Sequence, residues 1–228
     1  MSNNIETENN ASLSEAVYEE LKRRISGGMY EPGEKLVTKE IAEDFGVSRT
    51  PVIVAVNRLA AEGIATAVPQ QGVFVKKFSV RELHDILVIR RMIELYSIGP
   101  VIRTMQFDRQ AAKKLTEVSA ELYQIDVNDY VRAFEIENAF HSMIIHMTGN
   151  AELEKVFASE HCLDVTRQVY QIAGMGISDV EIGRSEHKKL VELMEAGDEE
   201  GARAVMEIHT NRPIELLNWL ITTGRMDR

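Results

Sequence analysis

Four side chains in this sequence have the types and spacing of a buried metal site. Glu137 and His141 stand four residues apart in Glu137-Asn138-Ala139-Phe140-His141, a spacing that puts both on one face of a helix. Phe134, Ile144 and Ile145 share that face, so a carboxylate and an imidazole are aimed at an apolar interior. Burying a charge there is costly unless something pairs with it. His187 lies on a face with Leu190, Val191 and Met194, and His209 on a face with Ala202, Val205 and Met206. Together the four supply one oxygen and three nitrogen donors, a set that suits zinc, nickel, manganese or iron, with zinc or nickel favoured. A lone histidine on an apolar face is usually a core residue; here three coincide with a carboxylate. His146, five residues from His141, falls about 140° round the helix and is excluded. His84 and His161 read as surface or packing residues.

The elements that must position these groups come from a chain of 228 residues, long enough for one large domain or two small ones. Its hydrophobic content of 44% is enough for a core, and no apolar run reaches the eighteen residues of a membrane span. Residues 1–11 are polar and Asn-rich, are expected to be disordered, and lack the apolar core of a signal peptide. Cys162 is the only cysteine, which excludes an internal disulfide and fits a cytoplasmic setting. The net charge of −10 argues mildly against nucleic acid. Yet residues 12–78 hold nine Lys/Arg and nine Asp/Glu, so that segment is neutral and can bind DNA if its bases cluster.

Within residues 12–78 the pattern predicts a helix capped by Ser12 or Ser14 through Val17, Leu21 and Ile25, ended by Gly27-Gly28. A turn at Tyr30-Glu31-Pro32-Gly33 follows. Thr38 caps a short helix through Ile41 and Phe45, with Gly46 behind it. Ser48 caps the next, with Pro51 in its first turn and Val52, Val56 and Leu59 as its core face. Residues 65–68 and 73–75, joined by Pro69-Gln70-Gln71-Gly72, read as a β-hairpin. This order is the plan of a winged helix-turn-helix, in which the helix after Ser48 would enter the major groove. Ser48, Arg49 and Thr50 are the candidate base-reading residues. Lys35 and the Gln71-Gly72 tip would add backbone or minor-groove contacts. The competing reading is a small helical module that binds protein.

Pro32-Gly33-Glu34-Lys35-Leu36, Ile41-Ala42, Gly46-Val47-Ser48-Arg49-Thr50-Pro51-Val52, Arg58-Leu59, Glu62-Gly63 and Gly72-Val73-Phe74-Val75 resemble the GntR family of bacterial transcription regulators. The resemblance covers residues 12–77. It implies Pro-Val-Arg-Glu-Ala-Leu where this chain has Pro51-Val52-Ile53-Val54-Ala55-Val56. The family's arginine at position 53 typically reads a guanine, and Ile53 has no hydrogen bond to donate.

From Ser79 onward the pattern is helical throughout. Helices are expected from Ser79 through Ile98, from Asp108 through Leu122, over Asn128–Thr148, from Asn150 through Val165, from Ser178 or Asp179 to Ala196, and from Asp198 past Pro213 to about Thr222. Asp126–Asp129 is a connection and Gly174–Gly176 a break. Six helices over residues 79–228 make an antiparallel bundle with sites between facing helices. The fold class is therefore mainly α, with the hairpin wing as the only sheet.

Arg90 with Glu94, Phe140-His141, Gly149-Asn150, Glu186-His187, Gly197-Asp198 and His209 resemble the FCD domain of FadR-type GntR regulators, and six helices are similar to its VanR subgroup. The family's ligands are an aspartate, a histidine four residues on and two later histidines. The resemblance places them on Glu137, His141, His187 and His209, with glutamate in the aspartate's place. Arg90 could clamp a carboxylate or hydroxy-acid effector with its planar fork, or form an ordinary pair with Glu94. Pro213 leaves the carbonyl of His209 without its helical N–H partner. The expectation is a cytoplasmic, homodimeric regulator, most simply a repressor, on double-stranded operator DNA. The alternatives are a metal-dependent hydrolase, for which no nucleophile or base motif is present, and a protein whose metal is purely structural.

Overall fold

The computed structural model describes residues 2–126, 129–159, 162–174 and 177–226, so His161, Asn128 and Gly176 lie outside the described residues. The chain divides into two compact units, Met1–Lys77 and Phe78–Arg228. Each has its own apolar core.

The first unit contains α1 (Ser2–Ser26), α2 (Thr38–Phe45), α3 (Arg49–Ala61), β1 (Ala65–Val68) and β2 (Gly72–Val75). Helix α1 begins well before the Ser12 or Ser14 start expected from capping, and residues 2–11 continue it where disorder was expected. No glycine or proline interrupts the helical backbone before Gly27. Val37, not Thr38, takes the N-cap position of α2. Gly46 ends that helix at φ 66°, a left-handed conformation that costs glycine nothing. Val17, Leu21 and Ile25 of α1, Ile41 of α2 and Val52, Val56 and Leu59 of α3 form the core. One face of α3 is consumed by packing and the other left to solvent. β1 and β2 pair antiparallel in the register Ala65↔Val75 to Val68↔Gly72. The segment after the Tyr30–Gly33 turn joins them: Leu36 donates to the Val73 carbonyl and Val75 to that of Glu34, at 2.8 Å each.

The second unit is all helical: α4 (Val80–Phe107), α5 (Arg109–Glu121), α6 (Tyr130–His146), α7 (Ala151–Ser159), α8 (Cys162–Ala173), α9 (Ile177–Ala196) and α10 (Glu199–Thr222). The segments α7 and α8 fall on the stretch expected as one helix, and the two positions between them are outside the described set. α6 starts at Tyr130 behind an Asp129 cap and ends at His146, slightly inside the expected Asn128–Thr148. Helix α4 is the axis of the unit, packed against α6, α8, α9 and α10. Its start is pinned by a full capping box between Ser79 and Glu82. Phe78 is buried in this core, which places the division of the chain just before it. Helix α10 runs through Pro213 without ending.

Leu59 is fully buried and anchors α3 against α1. Leu59→Ala is expected to destabilise the protein by about 2–5 kcal/mol, the range for deleting a buried leucine side chain, read as a lower urea midpoint in equilibrium unfolding.

Candidate metal centre and nucleic-acid interface

The four side chains read as metal ligands come from three helices and meet at one point. Glu137 and His141 project from α6, His187 from α9 and His209 from α10, and their donor atoms all lie within 4.8 Å of one another. Glu137 Oε1 is 3.1 Å from His141 Nε2, 3.4 Å from His187 Nε2 and 3.8 Å from His209 Nε2. His209 Nε2 lies 3.2 Å from His141 Nε2 and 3.4 Å from His187 Nε2. Donors held about 2.0–2.1 Å from a tetrahedral ion stand roughly 3.3–3.4 Å apart, so this cluster has the size of a first-row metal site. The three histidines keep at most 7% of their side-chain surface exposed, while Glu137 keeps 27%. Glu137 is thus the one member of the cluster whose side chain is partly exposed.

The remaining ring nitrogens decide which imidazole atom can serve as a donor. His141 Nδ1 lies 3.0 Å from Glu94 Oε1, and His209 Nδ1 lies 2.9 Å from Glu186 Oε2. A carboxylate beside Nδ1 holds a proton there and leaves Nε2 as the lone-pair nitrogen facing the cluster. Among the described residues His187 has no such partner, and its buried Nδ1 makes no hydrogen bond. Its ring is held by stacking on Phe140, at a centroid distance of 4.2 Å. The donor set and its outer carboxylates fit a divalent ion.

Electrostatics point the same way. Burial holds His187 well below the usual histidine range and lowers His209 too, so both are neutral imidazoles near pH 7. Burial also disfavours charge on His141, but the Glu94 carboxylate outweighs it and raises the pKa. Burial opposes ionisation of Glu137 as well; the ring of histidines around it, with the hydrogen bond to His141, overcomes it and holds the carboxyl well below the usual range.

Arg90 forms the intrahelical pair with Glu94 and also reaches the histidine cluster. Its Nε donates to Glu94 Oε1 at 3.0 Å and its NH1 to Thr166 Oγ1 at 2.5 Å. Its NH2 lies 3.0 Å from His141 Nε2 and 3.5 Å from His209 Nε2, facing the cluster. The intrahelical pair thus orients the guanidinium rather than competing with it. The sequence reading missed Glu186 as the support of His209, and Arg212, which pairs with Glu186 through both nitrogens of its fork. Glu186 precedes His187 in the chain but serves the histidine of the next helix, a relation only helix packing creates. His146 and His84 are exposed and stand apart from the cluster.

In the first unit, Ser48, Arg49 and Thr50 are exposed at the start of α3. Ser48 takes the N-cap position, but its hydroxyl makes no capping bond. Lys35, Gln71 and Gly72 are also exposed. Lys35 lies along the hairpin tip, so close that a Cβ at Gly72 would stand 3.0 Å from Lys35 Cε.

The profile described as bacterial regulatory proteins, gntR family, matches residues 13–75, and that of the FCD domain matches residues 85–212. The chain belongs to the GntR family of transcription regulators, in the FadR-type branch that carries an FCD domain. The uncharacterized HTH-type transcriptional regulator YdhC of Bacillus subtilis is 23% identical over 213 residues, covering 91% of this chain and 92% of YdhC. The HTH-type transcriptional repressor RspR of Escherichia coli is 29% identical over 153 residues, 61% of this chain and 62% of RspR. The solved structure of E. coli McbR/YncC superposes with a TM-score of 0.75 at 24% identity, covering 91% of this chain and 97% of that one. This GntR regulator is thus a DNA-binding transcription regulator and not an enzyme. None of its described helices is long and apolar enough to cross a membrane.

Glu94 is fully buried between Arg90 and His141. Burial raises its pKa, but Arg90 and His141 outweigh this and bring it to about 2. A carboxyl depressed in the fold contributes stability above its unfolded pKa, about 4.3, and loses it as pH falls through the folded value. In chelator-treated protein, Glu94→Gln is expected to lower the melting temperature at pH 7, and the gap from the parent protein to narrow as pH is lowered from about 4.3 towards 2. A gap that stays constant over that range would remove the buried charge as its cause.

Proposed function

We propose that this GntR regulator is a cytoplasmic, homodimeric repressor whose FCD domain binds one divalent metal and a small organic acid, and whose operator affinity changes with that ligand. The observation that carries the reading is the convergence of Glu137 Oε1 with three histidine Nε2 atoms at 3.1–3.8 Å, with Arg90 NH2 facing the same point. Glu137, His141, His187 and His209 would hold the ion, and zinc or nickel suits three neutral imidazoles and a carboxylate. A bound ion would offer Lewis-acid positions to the oxygens of a carboxylate or hydroxy acid. Arg90 would neutralise and orient that anion with the edge of its guanidinium that Glu94 and Thr166 leave free. Arg212 and Glu186 keep His209 in place.

Regulation follows from linkage. A ligand that binds one arrangement of the bundle better than another shifts the population towards it, and with it the spacing of the two DNA-reading heads of a dimer. Two-fold protein matches palindromic DNA. The name of RspR, a repressor, supports the same sign here.

Metal analysis of the purified protein is expected to return one ion per chain, and His141→Ala and His187→Ala to lose it. Stoichiometric metal in both variants would refute the site. Because the ligands must be deprotonated, affinity should fall on acidification. With His141 raised by Glu94, the fall should begin above the ordinary histidine pKa of about 6.5. Metal removal then separates the roles: a sensor changes DNA affinity, whereas a purely structural ion unfolds the chain.

On the DNA side, Arg49→Ala is expected to cost roughly 1–3 kcal/mol of operator affinity if Arg49 reads a base. Fluorescence anisotropy with the selected operator measures it, and unchanged affinity would take Arg49 out of the interface.

A further inference from the structure

The exposed side of α3 carries an apolar residue that folding does not explain. Ile53 keeps 47% of its surface exposed and is not part of the core. A β-branched residue also lowers helix propensity, so neither packing nor local backbone preference accounts for it. Its neighbour Val54, 51% exposed, is different. Val54 lines a cleft of about 360 Å³ against α1, together with Ser14, Tyr18, Thr50 and Arg58. Ile53 does not line that cleft.

Ile53 instead lies on the strip Arg49–Ile53–Asn57, whose members are four residues apart and share one helix face. All three are exposed, and among the described residues neither Arg49 nor Asn57 has an ion pair or side-chain hydrogen bond. The other exposed arginine of α3 is occupied. Arg58 stacks on Tyr18 at 3.7 Å and pairs with Glu15 and Glu62. The strip therefore carries an arginine and an asparagine whose hydrogen-bonding groups are free among the described residues, with one apolar side chain between them.

We propose that Arg49, Ile53 and Asn57 are the base-reading strip of α3, and that Ile53 reads the 5-methyl group of a thymine in the major groove. The inference rests on the reading of the first unit as an operator-binding module. In the major groove thymine alone of the four bases presents a methyl group, while arginine pairs with guanine O6 and N7 and asparagine with adenine N6 and N7. Residues four apart are about 6 Å apart along a helix, roughly two base steps. Each half-site should therefore hold a thymine within about two base pairs of the guanine read by Arg49, and an adenine at a similar distance beyond it.

The test uses the full chain and its operator, recovered by selection from random duplex DNA. Each thymine is then replaced by deoxyuridine, which removes only the methyl group. One thymine per half-site is expected to lose about three- to fourfold in affinity on replacement, the size of one buried methyl group. Ile53→Ala should bind the thymine and uracil duplexes alike. That variant places the best helix former on an exposed helical position, so the fold is retained. Uracil tolerated at every position, or a penalty unchanged in Ile53→Ala, overturns the assignment while leaving operator binding intact. A random pool that yields no enriched sequence overturns both.

Discussion

Inside the helical unit a buried charge must find partners, and this requirement governs how the bundle is put together. Arg90 and Glu94 lie on the central helix α4 with almost no exposed surface. In an apolar interior such a pair gains from every further partner its charges meet. Arg90 reaches Thr166 on α8 and the histidine cluster of α6 and α10, while Glu94 Oε1 reaches His141 on α6. A one-residue slip of any of these helices would strand a charge. The same contacts that specify the packing bring three imidazoles and a carboxylate to one point, so the site is a consequence of the core and not an addition to it.

The first unit solves the opposite problem, keeping charge available at a surface. The chain is acidic overall, and several arginines near the helix surfaces are held by acids: Arg23 and Arg24 by Glu20, Arg24 also by Asp44, and Arg58 by Glu15 and Glu62. Arg49 escapes this pairing because it sits in the first turn of α3, where the residues preceding it are Gly46, Val47 and Ser48. What distinguishes the exposed start of α3 is that its arginine is left unpaired among the described residues, not how many cations the helix carries.

Much of the architecture was legible in sequence order. Glycines at 46, 149 and 197 mark helix ends with positive φ, Ser79, Asp108 and Asp198 cap helices through their side chains, and the hairpin is announced by the turn residues 69–72. Such signals are local, since capping and turn geometry involve atoms only a few residues apart. Boundaries were less legible: α1 starts far upstream of the serines read as its caps, because a capping residue permits a start without compelling one. The pairing of residues 34–36 with β2 was not read, since strand pairing between distant segments leaves no periodic trace.

The sequence by itself determined the residue types of the candidate cluster, the helical faces that carry them and the amphipathic helix α3, because a four-residue spacing on an amphipathic helix fixes a common direction. It could not determine which carboxylate holds which imidazole. Glu186 stands beside His187 in the chain yet bonds His209, and Glu94 serves both its helical neighbour Arg90 and His141, 47 positions away. Those choices depend on the rotation and depth of α4, α6, α9 and α10 against one another. That arrangement is set by the sum of apolar contacts in the core, to which no single residue or spacing gives access.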